Sequence, residues 1–144
     1  MNYEQLKLAN QLCFPLYAAS KAVVAKYTPH LSEIGLTYTQ YITMMVLWEH
    51  TPVGVKELGE HLSLDSGTLT PLLKRLESKG LVRRERPGSD ERTVIVTVTE
   101  AGTALKRHAA LIPQKMAPCM PLSKDEAGTL YALLYKLLDE MRNT

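Results

Sequence analysis

The sequence predicts a mainly α-helical fold with a small β-hairpin: a winged helix-turn-helix flanked by N- and C-terminal helices. Three observations carry that class. From Val55 to Thr99 the residues read as a short helix, a turn, a second helix rich in threonine and basic residues, and a charged hairpin. Positive charge concentrates there: Lys74 to Arg92 holds seven basic and four acidic residues, a local +3 in a chain of net +2, leaving the remainder at −1. Both ends of the chain carry wide apolar helical faces.

Taken in order, the N-terminal helix carries Leu12, Leu16, Ala19, Val23 and Val24. Pro15 removes a helical donor, so it either kinks this helix or initiates it. Thr28-Pro29 reads as an N-cap with proline at the first helical position of a short helix that Gly35 ends. Thr37 to Gln40 is a capping box for the next helix, whose Tyr41, Met44, Met45, Leu47 and Trp48 are largely core. Lys56 to Leu62 forms the first helix of the DNA-reading motif, with Leu58 and Leu62 on one face, and the break falls at Ser63-Leu64. Asp65 caps the second, where Leu69, Leu72, Leu73 and Leu76 turn inward and Gly80 stops the helix. Its other face presents Ser66, Thr68, Thr70, Lys74 and Arg75. Small hydroxyls near a helix N-terminus can bond phosphates or base edges without obstruction, and the helix dipole favours an approaching phosphate.

The wing follows as strands over 81–86 and 93–98 around a Pro87-Gly88-Ser89-Asp90 turn. Arg84 and Arg86 add to its charge. At the tip, Asp90 can hold Arg92 extended through a charge-assisted bond, which suits a minor groove. The alternative is a solvated, salt-bridged helix and hairpin. Ser123 to Glu126 is a further capping box, and Leu130, Leu133, Leu134, Leu137, Leu138 and Met141 follow as an apolar face. That face and the N-terminal helix each need a partner. A homodimer, with 1–36 and 104–144 as dimerisation helices around a 37–103 reading region in one domain, would present two reading helices to a pseudo-palindromic double-stranded operator. The other arrangement is an intramolecular helix pair in a monomer.

Composition bounds the rest. No apolar run reaches membrane-spanning length and Met1 to Lys7 lacks a signal peptide's apolar stretch, so a cytoplasmic protein without membrane contact is expected. Cys13 and Cys119 lie far apart with no CxxC spacing, so no metal site, cofactor or disulfide scaffold is indicated.

The order of helices around a wing resembles the MarR family of regulators, and Asp90-Glu91-Arg92 resembles that family's wing-tip signature. Within it, Asn10 to Phe14, Tyr17 to Ser20, Leu36 to Tyr41, Leu47 to Glu49 and Leu64 to Arg75 are similar to the organic hydroperoxide resistance repressors (OhrR), over about Leu8 to Gly102. The resemblance implies a homodimeric repressor, not an enzyme, that leaves its operator when an N-terminal cysteine is oxidised by an organic hydroperoxide. It implies Cys13 as sensor and Tyr17, Tyr27 and Tyr38 as the tyrosines whose hydroxyls bond its sulfur and orient a peroxide. Cys119, in a segment with Pro113, Pro118 and Pro121, matches the second cysteine of two-cysteine members, on a bend or loop free to move.

Read without the resemblance, Cys13 among Leu12, Phe14 and Leu16 is the pattern of an inert buried thiol, the tyrosines are interface aromatics, and Cys119 is a spectator in a Met-rich patch. Two other functions stay open. A non-covalent aromatic or phenolic ligand could release the repressor. A thiol peroxidase would also need a reactive cysteine, but no arginine lies within several residues of Cys13 to steady a developing charge.

Overall fold

Helix ends in this chain fall where side chains or left-handed residues replace missing backbone partners. The computed structural model describes residues 1–88 and 93–142. After two short 3-10 turns, α1 runs from Cys13 to Ser32. Pro15 is its third residue, within the first turn where no N–H donor is needed, so it initiates the helix. The separate helix expected at Thr28-Pro29 does not form, because α1 continues through Pro29. Thr28 Oγ1 donates to the Val24 carbonyl at 3.2 Å and does not cap a new helix. The stop at Gly35 holds: at φ +72° it lets the Leu36 N–H reach the Leu31 carbonyl at 3.1 Å, and it closes the turn with two buried leucines.

α2, Tyr38–His50, starts on the expected capping box: the Gln40 N–H donates to Thr37 Oγ1 at 3.3 Å and the Thr37 N–H to Gln40 Oε1 at 3.1 Å. Tyr41, Met44 and Leu47 are buried, but Met45 faces out. The reading motif comprises α3, Val55–Leu62, and α4, Ser66–Ser78. Between them Ser63 takes φ 55°, and the Leu64 N–H bonds the Gly59 carbonyl at 3.0 Å. Gly59 is required in this turn, since a Cβ there would lie 2.7 Å from the Leu64 carbonyl oxygen.

Three strands form one antiparallel sheet in the order β1 (Val53–Gly54), β3 (Ile95–Val98), β2 (Val82–Glu85). The hairpin was expected and β1 was not, because two residues carry no readable period. Val53 and Arg84 both pair with Val96, from opposite sides. α5, Glu100–Ala109, is capped by Thr99 and packs so closely on the sheet that a Cβ on Gly102 would meet the Leu81 carbonyl oxygen at 2.2 Å. α6, Ile112–Met116, leads into a 3-10 turn at Ala117–Cys119. Of the bend or loop expected here, 120–123 with Pro121 is irregular, while the part through Cys119 is helical, since Pro113 and Pro118 each sit in a first turn that needs no donor. α7, Lys124–Arg142, starts on the second capping box, with the Glu126 N–H 3.1 Å from Ser123 Oγ.

One core joins Leu31, Met44, Leu47, Leu58, Leu69, Leu73, Leu76, Val82, Val96, Ala109 and Ile112, drawn from α1 to α6 and the sheet. α7 contributes no buried residue. Among the described residues, no helix is long and apolar enough to cross a membrane, and no cluster of His, Cys, Asp or Glu could hold a metal ion.

Candidate DNA-reading surface and cysteine site

α4 is anchored by its leucines and presents its polar residues outward. Asp65 Oδ1 accepts from the Thr68 N–H at 2.7 Å, and this bond, with one from the Thr68 side chain, holds its carboxyl below the usual carboxylate range. With that donor satisfied, Ser66, Thr68, Lys74 and Arg75 stand exposed along one side and Thr70 is half-buried. The helix ends at Gly80, φ +77°, where the Leu81 N–H reaches the Leu76 carbonyl at 3.1 Å.

Arg84 is engaged within the chain. Expected to face DNA, it binds Glu77 instead: the Arg84 N–H donates to Glu77 Oε2 at 2.9 Å, and its Nε and Nη2 donate to Oε1 at 3.3 and 3.1 Å. Strand alternation is the reason. Arg84 shares the α4 side of β2 with Val82, while Arg83 and Glu85 project from the other face and approach each other at 3.8 Å. The three bonds bracket the wing's first strand onto the reading helix and hold the Glu77 carboxyl below its ordinary range, chiefly through the Arg84 backbone N–H. Arg86 is exposed beyond the strand end. Asp90, Glu91 and Arg92 lie outside the described residues.

The cysteine region is organised differently. Cys13 is the first residue of α1 and is exposed. Tyr17, one turn on, is also exposed, and Lys21 Nζ donates to its hydroxyl at 3.4 Å. Fourteen residues separate Cys13 from Tyr27 on one helix, which is about 21 Å along its axis. The chain therefore cannot bring these two together by itself. Tyr27 instead lies against Tyr38 (ring centroids 4.9 Å apart) and Tyr41 (5.9 Å) at the α1–α2 corner. Tyr41, read from sequence as core only, is a member of this cluster. Its i,i+3 spacing from Tyr38 was the available signal. Burial, with Tyr27 adding to it, pushes the Tyr38 and Tyr41 hydroxyls above their ordinary range, so both remain protonated donors at neutral pH.

Cys119 ends the 3-10 turn after α6, half-buried against the core, with Sγ 3.8 Å from the Lys115 carbonyl oxygen. Cys13 and Cys119 are both free thiols. Around Cys13, Leu12 (87% exposed), Phe14 and Leu16 are exposed, and so are Leu130, Leu133 and Leu137 on α7. α7 meets the reading motif through its last turn, where Arg142 Nη2 donates to Ser63 Oγ at 2.6 Å. Beside that contact lies an open cavity of about 1270 Å³, bounded by Val55, Leu64, Leu69, Leu138 and Met141.

Comparison with known proteins matches the family model of the transcriptional regulators SarA/Rot to residues 25–108. The chain is 44% identical over 139 residues to an organic hydroperoxide resistance transcriptional regulator of Bacillus subtilis (strain 168), covering 96% of this chain and 95% of that protein. Among solved structures it is similar to reduced AbfR of Staphylococcus epidermidis bound to DNA, at TM-score 0.82 and 37% identity over 99% of this chain and 98% of that one. Against disulfide-formed AbfR the TM-score is 0.68, at 38% identity over 96% and 94% of the two chains.

Proposed function

The chain belongs to the organic hydroperoxide resistance type of MarR-family transcriptional regulators, and on that premise we propose that it is a homodimeric repressor released from its operator when an organic hydroperoxide oxidises Cys13. The observation that carries this reading is the likeness to the Bacillus regulator over 96% of the chain, which spans the cysteine region and the reading motif together. The higher similarity to the reduced, DNA-bound AbfR than to its disulfide form supports a reading-competent arrangement of the chain.

In this proposal the uncovered faces of α1 and α7 pack against a second copy. A partner's α1 then supplies what a separation of about 21 Å denies within one chain: Tyr27 and Tyr38 of one subunit meet Cys13 of the other, with Tyr17 beside it. Protonated tyrosine hydroxyls donate to the thiolate. The sulfur attacks the terminal oxygen of the hydroperoxide; an S–O bond forms, the O–O bond breaks, and the departing alkoxide takes a proton to become an alcohol. Cys119 of the partner subunit then attacks the sulfenic sulfur and water leaves, giving a disulfide. Ser66, Thr68, Thr70, Lys74, Arg75 and Arg86 face the duplex, with Asp90 and Arg92 assigned to the wing tip.

The test is an operator-shift assay on reduced protein with and without an organic hydroperoxide, paired with a non-reducing gel. Release with a covalent dimer that Cys119→Ser abolishes is expected. Release with only a small thiol joined to Cys13 would make Cys119 packing, and no release would refute the sensor. The cavity between α7 and the reading motif favours a second reading, in which an aromatic or phenolic ligand releases the repressor. Release of Cys13→Ser protein by such a compound alone would establish it.

A further inference from the structure

The end of the reading helix is tied by polar contacts to the corner that carries the tyrosine cluster. Lys79 caps α4, and its Nζ donates both to the Gly35 carbonyl, at the end of α1, and to Gln40 Oε1, in the first turn of α2, at 3.0 Å. Gln40 is buried, at 4% exposure, and its oxygen also accepts from the Thr37 N–H at 3.1 Å. Tyr38, two residues before Gln40 and in the same turn, rests on Tyr27. One ammonium group therefore joins three helix ends, 44 and 39 residues distant in sequence.

We propose that Lys79 is a positioning residue that couples the tyrosine corner to α4, so that a shift at the corner on oxidation carries the reading helix with it. The inference rests on the redox reading above and adds the residue through which the reader responds. Apolar packing of Leu69, Leu72, Leu73 and Leu76 keeps α4 in the core but is non-directional and tolerates sliding. A charged donor shared between two oxygens fixes direction and distance, and hydrogen bonds to ionised groups are about twice as strong as neutral ones. Gln40 is well suited to the role, because the bond that starts α2 and the bond that holds α4 converge on one buried atom. Displacing the turn moves both.

The reported quantity is R, the operator dissociation constant of the oxidised protein divided by that of the reduced protein. Dividing the two cancels any uniform loss of affinity from removing a positive charge. Lys79→Met should be oxidised at Cys13 to the same extent by intact mass and show R reduced about fivefold or more, a typical lower value for coupling between sites. Lys74→Met, a control of equal charge, should weaken both states and leave R unchanged. Gln40→Glu keeps the capping box and offers Lys79 a carboxylate, so R should equal or exceed that of the parent. If Lys79→Met does not fold, Gln40→Glu decides, and a fall in R overturns the coupling. An unchanged R in folded Lys79→Met, with a large R in the parent, also overturns it. R near one in the parent refutes the redox reading itself, and the coupling with it.

Discussion

The reading motif and the terminal helices are both amphipathic, yet only one is complete within a single chain. In α3, α4 and the sheet each inward leucine or valine has found the core, and the helix ends are closed by Asp65, Ser63 and Gly80. Along α7 and the first half of α1, residues of the same chemistry stand in the open, from Leu12 to Tyr17 and from Leu130 to Met141. The contrast separates what one chain stabilises from what a second copy must. Cys13 lies in the incomplete half. A sensor there acts on an interface, whereas one in the core would have to disrupt the fold.

The largest effect should come from breaking the complete half. Leu73→Ala removes a fully buried side chain and should cost about 2–5 kcal/mol of stability. Thermal melts at several protein concentrations would show the same drop at each; a strongly concentration-dependent drop would mean the reader also relies on a partner. Substitution in the other half should reverse the pattern. Leu130→Lys combined with Leu137→Lys should convert dimer to monomer in sedimentation velocity and leave the reader's circular dichroism intact. A variant that stays dimeric would place the subunit contact elsewhere.

Legibility divides along a different line, between local rules and distant pairings. Capping boxes at Thr37 and Ser123, the Asp65 cap and the glycine stops are local rules, each written within four residues, and all appear as expected. Three features depend on neighbours distant in sequence and were not legible. β1 exists because Val53 pairs with Val96; Arg84 is tied to Glu77 because strand alternation aims it there; and α1 passes through Pro29 because the core holds Leu31 beyond it. The cysteine site was legible only through resemblance. Nothing in the spacing of Cys13 and Tyr27 says that a single helix holds them about 21 Å apart.

Smaller effects sharpen the comparison within the reader. Lys74→Ala should weaken operator binding uniformly across sequences and lower the slope of log affinity against log salt by about one. An unchanged slope would remove Lys74 from the phosphate contacts. The smallest effect concerns pH. Glu77 has its folded carboxyl value lowered by Arg84, so its contribution to stability is present above the ordinary carboxylate range and is lost as pH falls through the folded value. Glu77→Gln should therefore flatten that part of the acid limb of a stability–pH curve, and an unaltered limb would show the bracket contributes nothing.

In the proposed mechanism the sensor lies outside the reader, and Cys13→Ser puts that separation to the test. Its operator affinity should match that of the reduced parent, since no reading contact is touched, and the complex should persist when organic hydroperoxide is added at a concentration that releases the parent. Dissociation of the Cys13→Ser complex under the same peroxide treatment would contradict the account and place the sensing chemistry elsewhere in the chain.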